Sequence, residues 1–165
     1  SAMVDVLFAH RGTLDKFVGD MVMALFGAPL ADDEHADHAV QAALAMIARL
    51  DELNIEWKAQ GLPEIHIGVG VNSGDMIAGT IGSDQVRSYT VIGDAVNLGS
   101  RIESLNKQYG TSVLVSENTV KRLKHQYDLR TLGEVVVKGK SQAVAIFEVR
   151  PPGAGGADHS EEGRR

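Results

Sequence analysis

The stretch from Gly12 to Gly27, Gly-Thr-Leu-Asp-Lys-Phe-Val-Gly-Asp-Met-Val-Met-Ala-Leu-Phe-Gly, leaves this chain fewer structural choices than any other part of it. Two strand-like runs flank the pair Gly19-Asp20. A two-residue connection that begins with Gly predicts a β-hairpin closed by a type II′ turn, because only the first central residue must take φ > 0. Side chains alternate along a strand, so Lys16 and Val18 are expected on one face and Phe17 on the other. The hairpin lifts one carboxylate, Asp20, to its tip and sets one ammonium, Lys16, a short way down the first strand. Asp20 has two readings. It is a turn residue chosen for its local hydrogen bonding, or a carboxylate placed to hold a hard divalent cation.

At 165 residues the chain is expected to be one domain, or most of one, and 44% hydrophobic residues suffice for a core. A formal charge of −6 argues against a nucleic-acid footprint. There is no cysteine, hence no disulfide framework, no thiolate zinc site and no thiol nucleophile. No apolar run reaches bilayer-spanning length, so a cytoplasmic setting without direct membrane contact is expected, any anchor lying outside this chain.

Residues 2–9 read as the last turns of a helix. His10 and Arg11 suit its C-terminus, and Gly12 the position just beyond. After Ala28-Pro29-Leu30, four acids (Asp32, Asp33, Glu34, Asp37) crowd a helix start that runs to about Gln60. Ala36, Val40, Ala43, Ile47, Leu50 and Trp57 form its apolar stripe. His35 and His38 are read as a solvated polar face, since their spacing is not that of a helical zinc pair. Ile65 to Val71 alternates as a half-buried strand whose glycine side, Gly68 and Gly70, admits another backbone or a ligand. Its glycine spacing is not a dinucleotide fingerprint. Strands are expected at 76–81 and 86–91, a helix from Asp94 to Tyr109, a strand at 112–115, a short helix at 117–126 and a second hairpin over 128–149. Residues 151–165 are expected to be a disordered tail behind a domain of residues 1–150.

Six polar residues then stand at strand ends, turns and one helix face: Lys16, Asp20, Thr90, Asn97, Arg101 and Lys138. One acid for a cation, three bases for phosphates and two neutral hydrogen-bonding groups suit phosphoryl chemistry on a nucleotide. There is no Walker loop and no evident Ser–His pair. Spacing alone leaves Arg101 and Asn97 equally readable as helix-surface residues.

These motifs resemble a family. Gly12 to Asp20, followed by Met23-Ala24-Leu25-Phe26-Gly27-Ala28-Pro29, is similar to the metal-binding hairpin of class III adenylate and guanylate cyclases. Tyr89 to Ser104 is similar to their second core motif, and Val137-Lys138-Gly139-Lys140 to their phosphate-contacting loop. The resemblance implies an α+β, ferredoxin-like (βαββαβ-related) fold, a mostly antiparallel sheet with helices packed on it. It implies an adenylate cyclase that converts ATP to 3′,5′-cyclic AMP and pyrophosphate, assisted by two Mg²⁺ or Mn²⁺ ions per site. Asp20 matches one of two metal aspartates. Lys16 and Thr90 match the purine-reading pair, Asn97 the ribose-orienting amide, and Arg101 the group facing the α-phosphate. Lys138, or Lys140 in its place, matches the terminal-phosphate base. A Lys16 donor suits N1 of adenine, and Thr90 can accept from the amino group. Thr at that position also resembles the bacterial subgroup linked to bicarbonate responsiveness. The family builds its sites at a head-to-tail interface, so a homodimer with two equivalent sites is implied.

The family's first metal aspartate lies on a strand ahead of the opening helix, in a Phe-x-Asp-Ile-like motif, and no such motif stands upstream of Gly12. The fold is therefore expected to be N-terminally incomplete as written, with neighbouring strand edges unpaired. The competing reading is a non-catalytic cyclase-like module that binds nucleotide or dimerises. A diguanylate cyclase fits less well, because Val18-Gly19-Asp20-Met21 lacks that family's hairpin signature.

Overall fold

The computed structural model describes residues 2–82, 87–136 and 142–152, with the side chains of Val18 and residues 77–92 excepted. The chain is α+β. Helix α1 (Ala2–Ala9) leads into the hairpin β1 (Thr13–Val18) and β2 (Met21–Leu25), followed by the long helix α2 (His35–Ala59). Strands β3 (Val69–Val71), β4 (Ile77–Gly82) and β5 (Arg87–Ile92) precede helix α3 (Asp94–Tyr109). Then come β6 (Val113–Ser116), the one-turn helix α4 (Glu117–Val120), and the strands β7 (Asp128–Val136) and β8 (Ala143–Arg150).

Among the described residues, strand pairing divides into three sheets. A four-stranded sheet runs in the order β3-β6-β8-β7, while β1-β2 and β4-β5 each pair only with themselves. Among the described residues only β3 and β6 run parallel, and every other pairing is antiparallel. Strand β3 thus bonds to β6 on one side and to no described strand on the other.

The core lies where α2 and α3 meet the four-stranded sheet. Val40 and Ala43 of α2 pack on Val113, Val115 and Val149; Leu98 and Ile102 of α3 pack on Leu114, Val135 and Ile146. The α2 stripe read from sequence is the buried one, with Ala36, Val40, Ala43 and Leu50 inside.

Four local expectations change. Arg11, not Gly12, takes the left-handed position after α1, at φ 68°. Gly12 is needed for close approach instead: its N–H donates to Leu7 O at 2.8 Å, and a Cβ there would stand 2.9 Å from both Leu7 O and Phe26 Cζ. The strand expected from Ile65 shrinks to Val69–Val71, because Ile65 is tied to a helix side chain. Asn54 Nδ2 donates to Ile65 O at 2.8 Å, and Ile65 N donates to Asn54 Oδ1 at 2.9 Å. The helix expected to reach Gln126 stops at Val120, because the following segment is captured by Asp37. His35 and His38 are half-buried rather than solvated. His38 Nδ1 lies 2.6 Å from Asp32 Oδ2, and Gly27 packs over His35. The turn expected through Lys138 to Ser141 and most of the C-terminal tail lie outside the described residues.

Candidate active site

The hairpin forms as its turn chemistry requires. Val18 pairs with Met21 around Gly19-Asp20, Gly19 takes φ 60°, and Arg11 is the only described non-glycine residue at positive φ. That is the type II′ pattern. Asp20 is exposed at the tip.

Below the tip, pairing slips. Leu14 faces Ala24 while Lys16 faces Met23, so Asp15 is an extra residue in β1. A β-bulge of this kind turns two successive side chains toward the same face. Lys16 Nζ accordingly lies 3.6 Å from Asp15 Oδ2, with the Asp15 side chain 0% and the Lys16 side chain 40% exposed. Strict alternation, read from the sequence, gives no hint of this pair. Phe17, cross-strand to Val22, is exposed on the hairpin.

Helix α3 carries Asn97 and Arg101 one turn apart, both exposed, while Leu98 and Ile102 turn inward. The helix is fixed at its first turn by Asn72, whose Nδ2 donates to Ala95 O at 2.8 Å. Asn72 Oδ1 in turn accepts from Ser116 Oγ at 2.5 Å. The Arg101 guanidinium donates from Nη1 to Val136 O at 2.7 Å, at the end of β7. Val136 precedes Lys138 by two positions in the sequence, and Lys138 itself lies outside the described residues. Thr90 sits in β5 opposite Gly79. The hairpin tip meets α3 within one chain, Ser100 Oγ donating to Met21 Sδ at 4.0 Å.

A divalent cation at this site would be held by Asp20, the carboxylate at the hairpin tip. Asp20 offers one hard oxygen in an accessible place. Among the described residues, the group of His and carboxylate side chains close enough to share an ion is Glu34, Asp37 and His125, whose ligand atoms lie within 4.8 Å of one another. That group is built around a different task. Asp37 accepts from Lys124 N at 2.9 Å, His125 N at 3.0 Å and Tyr127 Oη at 2.8 Å, while His125 Nε2 lies 3.2 Å from Glu34 Oε1. It fastens the segment after α4 to the start of α2. Sequence reading missed it because His125 lies far along the chain from Glu34 and Asp37.

No helix among the described residues is long and apolar enough to cross a membrane. The sequence profile described as adenylate and guanylate cyclase catalytic domain matches residues 3–149. Adenylate cyclase 1 of Rhizobium meliloti is 43% identical over 145 residues, covering 88% of this chain and 22% of that protein. The chain thus spans less than a quarter of that relative's length. Among solved structures, the adenylyl cyclase CyaB from P. aeruginosa superposes with a TM-score of 0.79 at 36% identity, covering 90% of this chain and 76% of that one. The guanylyl cyclase Cya2 superposes almost as well, at 0.78 and 35%, covering 91% and 75%. Matched from residue 3 to residue 149, the chain belongs to the adenylate and guanylate cyclase catalytic domain family.

Proposed function

We propose that this chain is the catalytic domain of an adenylate cyclase. The ribose 3′-oxygen of ATP attacks the α-phosphorus, the bond to the bridging oxygen breaks, and 3′,5′-cyclic AMP and pyrophosphate form. The observation that carries the choice of base is a cation, Lys16, held half-exposed at the bulge of β1. An ammonium donates to the N1 acceptor of adenine. Guanine presents N1–H there, so a donor would face a donor. Thr90, a hydroxyl on β5, accepts from the adenine amino group. Solved structures named as an adenylyl and a guanylyl cyclase superpose with TM-scores of 0.79 and 0.78, so the backbone alone does not favour either base.

Asn97 orients the ribose. Arg101, fixed through Val136 O, lies against the α-phosphate and stabilises the charge that grows there. Lys138, with Lys140 as substitute, holds the leaving phosphates. Asp20 supplies one ligand of a divalent ion, which neutralises phosphate charge when bound.

The test is cyclic nucleotide formation by the full-length protein with Mn²⁺-ATP and Mn²⁺-GTP. Cyclic AMP is expected as the main product, and its absence refutes the enzyme reading in favour of a non-catalytic nucleotide-binding module. Exchanging the purine pair, Lys16→Glu with Thr90→Cys, is expected to move the preference toward GTP. An unchanged preference for ATP refutes the base assignment.

A further inference from the structure

We propose that Asp15 is a positioning residue for Lys16 and so a determinant of which purine the site accepts; this rests on the reading of Lys16 as the base-contacting cation. The inference starts from the slip between Leu14 and Lys16 in the β1–β2 register. In an unbroken strand Asp15 and Lys16 would point to opposite faces. The extra residue turns both toward one face, and Lys16 Nζ comes to 3.6 Å from Asp15 Oδ2. The two side chains have unequal surroundings. The Asp15 side chain is wholly inaccessible, whereas Lys16 keeps 40% of its side chain in the open.

That inequality gives the pair a direction. A buried carboxylate is costly to leave without opposing charge, so Asp15 draws the ammonium to a fixed place. Lysine otherwise carries its charge on a flexible four-carbon stem and scatters it over many rotamers. An ammonium has three donors. At 3.6 Å the carboxylate attracts the ammonium as an ion pair and leaves its donors for a ligand on the exposed side. Holding Lys16 before the nucleotide arrives spares the ordering cost at the moment of binding. The Lys16 ammonium has no acceptor to offer N1–H of guanine. Asp15 touches neither base nor phosphate in this arrangement; it acts through Lys16.

A double-mutant cycle in the full-length protein tests this, reading kcat and KM for ATP and for GTP in four forms: the parent, Asp15→Asn, Lys16→Ala and the pair. Asp15→Asn is expected to lower the ATP-over-GTP ratio of kcat/KM roughly three- to tenfold, mostly through KM for ATP. In the Lys16→Ala background the same change is expected to do nothing further to that ratio. Equal loss in both backgrounds overturns the proposal, because Asp15 would then act on the fold alone. No loss in either overturns it as well. If Lys16→Ala itself leaves the ratio unchanged, the base assignment of Lys16 fails first and takes this inference with it. Should Asp15→Asn lose its cooperative melting transition, Asp15→Glu carries the same cycle. It keeps the charge one carbon farther out and is expected to give a smaller loss that again vanishes with Lys16→Ala; a loss that persists there overturns the proposal.

Discussion

Asp37 shows how much one buried carboxylate can organise. It sits in the first turn of α2, fully buried, yet its partners come from the segment after α4. Burial pushes its carboxyl up, but the Lys124 N–H, the Tyr127 hydroxyl and the His125 N–H outweigh burial and hold it below the ordinary value of 3.8. A carboxyl depressed by folding stabilises the fold above its unfolded pKa and loses that stabilisation as pH falls through the folded one. Acid unfolding below about pH 4 is therefore expected to draw on Asp37. Asp37→Ala orphans three donors at once and is expected to cost about 3 kcal/mol, a drop in melting temperature of roughly 10 °C. The partner phenol has the opposite sign. Burial and then Asp37 push Tyr127 up from 10.0 to about 12. Its contribution is complete below pH 10 and is lost as pH rises toward 12. A tyrosinate absorbance titration of the native protein is expected to show a late step near that value that Tyr127→Phe removes. A titration with no late step contradicts this arrangement.

At the scale of elements, the clearest case is the seam between β3 and α3. The glycine side of the strand was readable in the sequence as a place of close approach, but whether a ligand or a backbone came close was not. The structure answers with backbone: a Cβ on Gly70 would lie 2.4 Å from Glu103 N and 2.6 Å from Glu103 Cα. Gly70→Ala must push α3 away from the sheet, at an expected cost of about 3 kcal/mol. Because α3 carries Asn97 and Arg101, activity is expected to fall further than stability at temperatures where the variant is still folded. Gly110→Ala is the control. Gly110 caps α3 at φ 67° with nothing near it, so the cost is about 1 kcal/mol and activity should hold. Melting curves and kcat for the two variants separate packing from backbone strain. The hairpin, α2 and α3 were legible because turn chemistry and 3.6-residue periodicity are local signals. The bulge at Asp15, the capture of residues 124–127 by Asp37 and the tie from Asn54 to Ile65 were not. Each depends on a partner that periodicity does not reveal. Asn97 and Arg101 were legible as an exposed pair on α3; the bond from Arg101 to Val136 O, which aims the guanidinium, needed the fold.

At the scale of the whole molecule, the open question is how many chains make one site. In a head-to-tail homodimer Asp20 of one protomer serves with Lys16, Thr90, Asn97 and Arg101 of the other. Phe17 and Val22, cross-strand partners exposed by 63% and 40%, give the hairpin an apolar surface suited to such contact. Within a single chain, however, Met21 already touches Ser100, so the tip that bears Asp20 also lies beside the helix that bears Arg101. Mixing two inactive variants distinguishes these arrangements. Asp20→Ala and Arg101→Ala are each expected to abolish cyclisation alone. If sites form across a two-fold interface, a heterodimer of the two has one site with both lesions and one with neither. Random exchange puts half the dimers in that state, so an equimolar mixture should recover roughly a quarter of the parent activity. The recovered activity should fall on dilution as dimers separate. If each chain builds its own site, every site keeps one lesion and mixing restores nothing, which would overturn the dimeric arrangement while leaving the chemistry intact.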